Sequence, residues 1–159
     1  MFRPYTIALF GHRRLDNALL TERRLEERIR ELLRTHAQVD FLLGRNGEFD
    51  LLAASVIRRV RRDFDERSAA LILVLPYLTA EFRDNEAEFL RYYDAVEVFS
   101  APPGLPHRAC IPLRNRAMIN RADAVICSVD HPGGGACEAV LCAREQKRTL
   151  HLVGTMRCI

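Results

Sequence analysis

Three glycine-bearing stretches hold the residues of this chain best suited to chemistry. Pro132, Gly133, Gly134 and Gly135 stand between an apolar, β-branched run, Ala124 to Val129, and a segment whose apolar residues return at helical spacing through Ala136, Val140, Leu141 and Ala143. That order reads as a buried strand, a glycine turn and a helix opening. Glycines let the backbone turn sharply and leave no Cβ in a ligand's way. Their amides, with the first helical turn, form an anion site, for which phosphate is the usual guest. Gly11-His12-Arg13 and Gly44-Arg45-Asn46-Gly47-Glu48-Phe49-Asp50 are the other two stretches. The spacing matches neither G-x-G-x-x-G nor the P-loop, so neither a standard dinucleotide site nor ATP hydrolysis is indicated.

The elements between them alternate. Tyr5 to Phe10, Val39 to Leu43, Ala69 to Leu75, Ala95 to Phe99, Ala124 to Val129 and Thr149 to Val153 read as strands. Helical spacing covers Asn17 to His36, Phe49 to Asp65, Glu81 to Tyr93, Leu113 to Asn120 and Gly135 to Gln146, with Thr21 an alternative cap for the first helix and residues 101 to 107 a rigid loop. Strand–helix alternation predicts an α/β fold: a three-layer, Rossmann-like domain with a mainly parallel sheet of about six strands. In such a sheet ligands sit at the carboxyl ends of the strands, where all three glycine stretches fall.

Each polar candidate has two readings. His12 can act as a general acid/base, donate to phosphate, or cap a loop. Arg13 suits phosphate contact, and Arg45 an exposed position at the pocket mouth. Asn46 can cap the second helix or read a base. Glu48 and Glu138 can serve the chemistry of a ribose or of a water molecule, or simply favour a helix macrodipole, as Asp50 does. Arg114 and Arg116 cannot both face the site, and Arg114 is either a ligand contact or an ion-pair partner. Asp123, before the fifth strand, suits a structural role. Cys137 opens a helix, where a thiol's pKa is lowered, or packs as a small residue.

With 159 residues, 48% of them hydrophobic, the chain predicts one domain with a substantial core. A net charge of +3 is too mild for a dedicated nucleic-acid binder, and the arginines from Arg58 to Arg62 read first as a solvated helix face. The cysteines, Cys110, Cys127, Cys137, Cys142 and Cys158, are odd in number and contain no C-x-x-C pair, which argues against a disulfide framework and a zinc ribbon. No signal peptide and no bilayer-length apolar run is read, so the expectation is a cytoplasmic protein with no metal, no cofactor and no membrane partner.

Phe10-Gly11-His12-Arg13, the Gly44 to Asp50 stretch, Arg114-Asn115-Arg116-Ala117-Met118 with Asp123, and Pro132-Gly133-Gly134-Gly135-Ala136 stand in the order seen in the SLOG superfamily. That superfamily groups the DprA/Smf proteins with the LOG (lysine-decarboxylase-like) proteins. Along nearly its whole length the chain resembles the small bacterial YpsA-like proteins of the DUF1273 type. The resemblance implies a site for a nucleotide-like small molecule with phosphate, formed by Gly11, His12, Arg13, Gly44, Arg45, Asn46, Gly47, Arg114, Pro132, Gly133, Gly134 and Gly135. It also implies a homodimer. LOG enzymes hydrolyse the N-glycosidic bond of nucleoside monophosphates and carry P-G-G-x-G-T-x-x-E. Here the threonine is missing and the acid stands nearer the proline. Three functions follow, in this order: a sensor or carrier without turnover, a LOG-like hydrolase using Glu48 or Glu138, and a DprA-like DNA binder.

Overall fold

The apolar runs form the strands of one sheet in the computed structural model, which describes residues 3–156. In chain order the elements are β1 (Tyr5–Gly11), α1 (Ala18–Thr35), β2 (Val39–Leu43), α2 (Glu48–Arg61), a 3-10 turn (Glu66–Ser68), β3 (Ala69–Leu75), α3 (Ala80–Asp84), α4 (Glu86–Tyr92), β4 (Ala95–Val98), α5 (His107–Arg121), β5 (Ala124–Ser128), α6 (Gly134–Glu145) and β6 (Thr149–Leu152). Among the described residues the sheet has six strands in the order β4-β3-β2-β1-β5-β6, every neighbouring pair parallel. The expected mainly parallel sheet is thus wholly parallel.

Side-chain alternation on the strands sorts the core into two halves. Ile7 and Leu9 of β1, Phe41 of β2 and Leu71 of β3 pack with α1, α2 and the aromatic residues Phe82, Phe89 and Tyr93. Ala8 and Phe10, Leu42, Ile72 and Val125 pack with α5 and α6. Helices therefore cover both faces, which is why the central strands read as unbroken apolar runs. The chain winds outward from β1 through β2, β3 and β4, then crosses back to β5 on β1's other side. The switch point lies between β1 and β5, in register through Gly11 and Ser128.

Several element boundaries differ from the expectation. Thr21 is buried inside α1 and does not cap it; Asn17 does, its side chain accepting from the Leu20 amide at 3.1 Å. The helix expected from Glu81 to Tyr93 is two. Asn85 leaves helical dihedrals (φ −131°, ψ 31°), and its side-chain amide donates to the Glu81 carbonyl, closing α3. α5 starts at His107, six residues before the expected start at Leu113, with Pro112 inside it. Proline removes one intrahelical bond near the exposed amino end, where water can satisfy the freed carbonyl. α2 ends at Arg61, short of Asp65. Cys158 lies outside the described residues.

Candidate functional site

At the switch point three loops are stitched to one another by hydrogen bonds from backbone amides. The Glu48 amide donates to the Arg13 carbonyl at 2.8 Å, and the Leu15 amide donates to Glu48 Oε2 at 2.7 Å. These two bonds tie the loop after β1 to the start of α2. Gly47 lets the strands of chain meet: a Cβ there would lie 2.4 Å from Arg13 Cα. The Asp16 amide donates to Asp130 Oδ2 at 2.9 Å, joining the loop after β1 to the loop after β5. Asp130 also accepts from the Thr155 amide, tying in the chain after β6. Burial pushes the Asp130 carboxyl up, but the Thr155 and Asp16 amides outweigh it and hold the group below the usual range.

These loops and α5 enclose a cavity of about 490 Å³. Gly11, His12, Arg13 and Arg14 line it from β1, Gly44, Asn46 and Asp50 from β2 and α2, His131, Gly134 and Gly135 from the last loop, and Arg114 and Asn115 from α5. The amino end of α6 opens onto it. Its N-cap is Gly133, with no side-chain cap bond and no acidic residue in the first turn. Gly133 and Gly134 adopt φ values of +86° and +81°, where a side chain would be strained. The first helical amides are therefore left to water or an anion.

Two side-chain arrangements shape the interior. Arg114 is 5% exposed; its Nη1 donates to the Val74 carbonyl at 2.6 Å and its Nε to Asn115 Oδ1 at 2.9 Å. Burial lowers its pKa, partly countered by Asp50. Asp50 Oδ2 accepts from the Asn46 amide at 2.9 Å. Burial raises the Asp50 carboxyl, partly countered by that amide and by Arg114. On the opposite wall His12, 7% exposed, stacks on His131 with ring centroids 3.8 Å apart, and its Nε2 is buried without a hydrogen-bond partner. Burial, then His131, lower its pKa.

The structure brings most of the sequence candidates together but not all. Gly11, His12, Arg13, Gly44, Asn46, Arg114, Gly134 and Gly135 line the cavity. Gly47, Pro132 and Gly133 shape its loops without lining it. Arg45 points elsewhere, pairing with Glu81 and lying 4.8 Å over the Phe89 ring. Glu48 spends its carboxylate on the Leu15 amide, and Glu138 is exposed on a separate groove beside Arg116. Asp50, assigned to the helix macrodipole, is the acidic residue that does line the cavity. Arg14, Asn115 and His131 were missed. Each adjoins a singled-out residue, and His131 follows β5 as His12 follows β1, which is the signal that could have found it.

Away from the cavity the remaining candidates are structural. Asp123 pairs with Arg3 and accepts from the Thr6 amide at 2.8 Å. Cys137 is buried, its thiol 3.4 Å from the His131 carbonyl, and Cys127 is fully buried with its thiol pushed far up by desolvation. Arg59 pairs with Glu22 and Glu26, Arg61 with Asp94, and Arg58 stacks on Tyr92, so much of that arginine run is already engaged. Among the described residues no His/Cys/Asp/Glu cluster could hold a metal, and no helix is long and apolar enough to cross a membrane.

No family model matches the chain, and no curated protein does. Solved structures do share its fold. DNA processing protein A of Helicobacter pylori, a single-stranded DNA binder, superposes with a TM-score of 0.65 at 16% identity over 94% of this chain. The chain spans 65% of that protein's length. The molybdenum cofactor carrier protein of Chlamydomonas reinhardtii superposes with a TM-score of 0.60, also at 16% identity, over 94% of this chain and 76% of the carrier. A second structure of that carrier gives 0.54 over 98% of this chain and 79% of its own. The likeness is one of fold, and both neighbours fit the superfamily that the motifs resemble.

Proposed function

We propose that the protein binds a nucleotide or nucleotide-derived ligand through its phosphate at the β1/β5 switch point, as a sensor or carrier of the SLOG type akin to the YpsA-like proteins. One observation carries the reading. The uncapped amino end of α6 faces a cavity lined by Arg13, Arg14 and Arg114, against one carboxylate, Asp50. Helix amides and guanidinium groups are complementary to a phosphate, and the apolar stretch of wall from Ile111 and Met118 suits the rest of a small organic molecule. The fold shared with a cofactor carrier supports a carrier role.

Binding is favoured over LOG-like hydrolysis by where the carboxylates lie. A glycosidase-type mechanism needs acids flanking the scissile bond. Glu48 and Glu138, the candidates for that task, both lie off the cavity wall. Single-stranded DNA is a second reading, favoured by the likeness to the Helicobacter protein. The expectation that disfavoured nucleic acid finds no support in that neighbour.

Thermal-shift and calorimetric titration with nucleoside mono-, di- and triphosphates, dinucleotides, nucleotide sugars and a thymidine oligonucleotide tests the proposal. A ligand at a hundredfold its Kd adds about 2.7 kcal/mol, or a rise in Tm of about 5–10 °C for a chain this size. No shift by any small phosphate compound at millimolar concentration sinks the proposal. Strongly salt-dependent binding of the oligonucleotide alone replaces it with the second reading.

A further inference from the structure

His12 is a buried polar side chain on the cavity wall with one ring nitrogen left unpaired. It is 7% exposed, and the unpaired nitrogen is Nε2. Its other ring nitrogen faces the amino end of α6: a Cβ on Gly134 would come within 3.9 Å of Nδ1. An anion seated on the first amides of α6 would therefore touch this ring. A charge on this buried ring, with Nε2 unpartnered, is costly until an anion beside Nδ1 offsets it.

The charge environment of His12 is assembled from every surrounding element. The loop after β1 supplies Arg13, Arg14 and Asp16, the loop after β5 supplies Asp130 and the stacked His131, α2 supplies Asp50, and α5 supplies Arg114. α6 presents backbone amides and no charged side chain. Burial and the His131 ring oppose a charge on His12, while Asp130, the His131 backbone and Asp16 favour one, and the net effect lowers its pKa below the ordinary value. A phosphate beside Nδ1 adds one or two negative charges to this balance, and the attraction scales with their number.

We propose that His12 couples ligand capture to proton uptake: one proton passes from solution to the imidazole as a phosphate seats beside it, so that the site selects terminal, dianionic phosphates over phosphodiesters. This inference rests on the phosphate-binding reading above. No covalent bond is made or broken. The imidazolium is held between the guest and the stacked His131 ring, and its charge is spent on the guest. A phosphomonoester is largely dianionic above pH 7, whereas a diester carries one charge, so the two classes separate by charge at the same base and sugar.

The test is isothermal titration at pH 7.5 with AMP, GMP, CMP and UMP against their 3′,5′-cyclic forms, each in two buffers of different ionisation enthalpy. For a monophosphate that binds, the buffer dependence should give uptake of about half a proton or more, and affinity should fall between pH 7 and 9, by up to about tenfold per pH unit. Its cyclic form should bind at least about tenfold more weakly, the scale of one lost charge pair. His12→Gln keeps a polar group in place but cannot titrate. It should abolish the uptake and bring the monophosphate-to-cyclic ratio within about threefold. Should that variant fail to fold, an NMR titration of the His12 ring in the native protein carries the test, with an upward shift of its midpoint when AMP or the binding monophosphate is added. Nucleotide binding with no buffer-dependent heat, or uptake that survives His12→Gln, overturns this inference and leaves the binding function standing. Absence of binding by any nucleotide overturns both.

Discussion

Arg114 and Asp50 meet at Gly44: a Cβ on that glycine would lie 3.0 Å from Arg114 Nη1 and 3.2 Å from Asp50 Oδ2. The missing side chain is what lets a helix from one layer and a helix from the other bring opposite charges to the same strand end. Arg114 reaches through the layer from α5 to the Val74 carbonyl, and Asp50 turns back from α2 to the Asn46 amide. The floor of the cavity is thus a polar seam closed at a glycine. Its cation is fixed before any ligand arrives, as preorganised anion recognition requires.

Asp50→Asn tests which partner of that seam the site needs. Burial raises the Asp50 pKa, so the folded state holds its proton more tightly than the unfolded chain does. Stability is then lost as pH rises from the unfolded value of 3.8 through the raised one, and the charged form weighs on the fold at neutral pH. Asparagine retains an acceptor for the Asn46 amide. The substitution should be neutral or stabilising at pH 7 in urea denaturation, and should tighten phosphate binding several-fold by removing the cavity's negative charge. Loss of phosphate affinity instead would show that the carboxylate contacts the ligand.

Gly11 is the glycine least able to take a side chain. A Cβ on Gly11 would sit 2.1 Å from Phe49 Cγ, in a ring with no exposure at all, and Gly11→Ala should cost about 3 kcal/mol or more. Gly44→Ala meets a guanidinium held by the Val74 carbonyl and should cost about 1–2 kcal/mol, with loss of anion binding. Gly133→Ala meets nothing within 4 Å but must adopt φ +86° with ψ 173°, a region essentially confined to glycine, which costs about 1–3 kcal/mol. Denaturant midpoints of the three variants check these costs, and a Gly11→Ala protein as stable as the parent would contradict the packing.

Much of this arrangement was legible in the chain, because its strongest signals are short-range. Ala69 to Leu75 is apolar on both faces, which calls for a doubly covered strand, and the glycines after β1, β2 and β5 mark the loops that meet. What was not legible depends on side-chain direction across the fold. Glu48 and Asp50 are two residues apart in the same first turn of α2, yet one carboxylate turns to the Leu15 amide and the other to the cavity. Only the position of the loop after β1 decides which. The early start of α5 was not legible for a different reason: proline penalises a helix interior on average, but the local cost at Pro112 is small where the freed carbonyl is near solvent. Arg45 is exposed as read, but nothing near it in sequence announces its partners Glu81 and Phe89.

His12 also leaves a signature in the stability of the free protein. Its pKa is lowered by burial and by His131, so below the ordinary value of 6.5 the unfolded chain takes up a proton before the folded one does. Its contribution is fully present above pH 6.5 and is lost as pH falls through that value toward the lowered one. His151, lowered by burial and Arg28, adds a loss of the same sign. Urea midpoints at pH 5 and 7.5 should show the protein less stable at the acid end, and His12→Gln should shrink that difference while His151 preserves part of it. An unchanged pH slope in His12→Gln would mean that the imidazole titrates as in water.

Glu138 and Glu48 separate a binding protein from a hydrolase most directly. Glu138 is exposed on a groove formed with Pro112, Leu113 and Arg116, on a different wall from Arg114. Glu138→Ala should therefore leave both Tm and nucleotide affinity within error of the parent. Glu48→Ala deletes the acceptor of the Leu15 amide, a bond of 2.7 Å that ties the loop after β1 to α2. It should cost about 1 kcal/mol and weaken phosphate binding modestly, since Arg13 sits in that loop, whereas Glu48→Gln should restore both. Chromatography of nucleoside monophosphates incubated with the parent protein completes the comparison. Release of free base that Glu138→Ala abolishes would move this chain among the enzymes, and would require the α5–α6 groove, not the switch-point cavity, to hold the scissile bond.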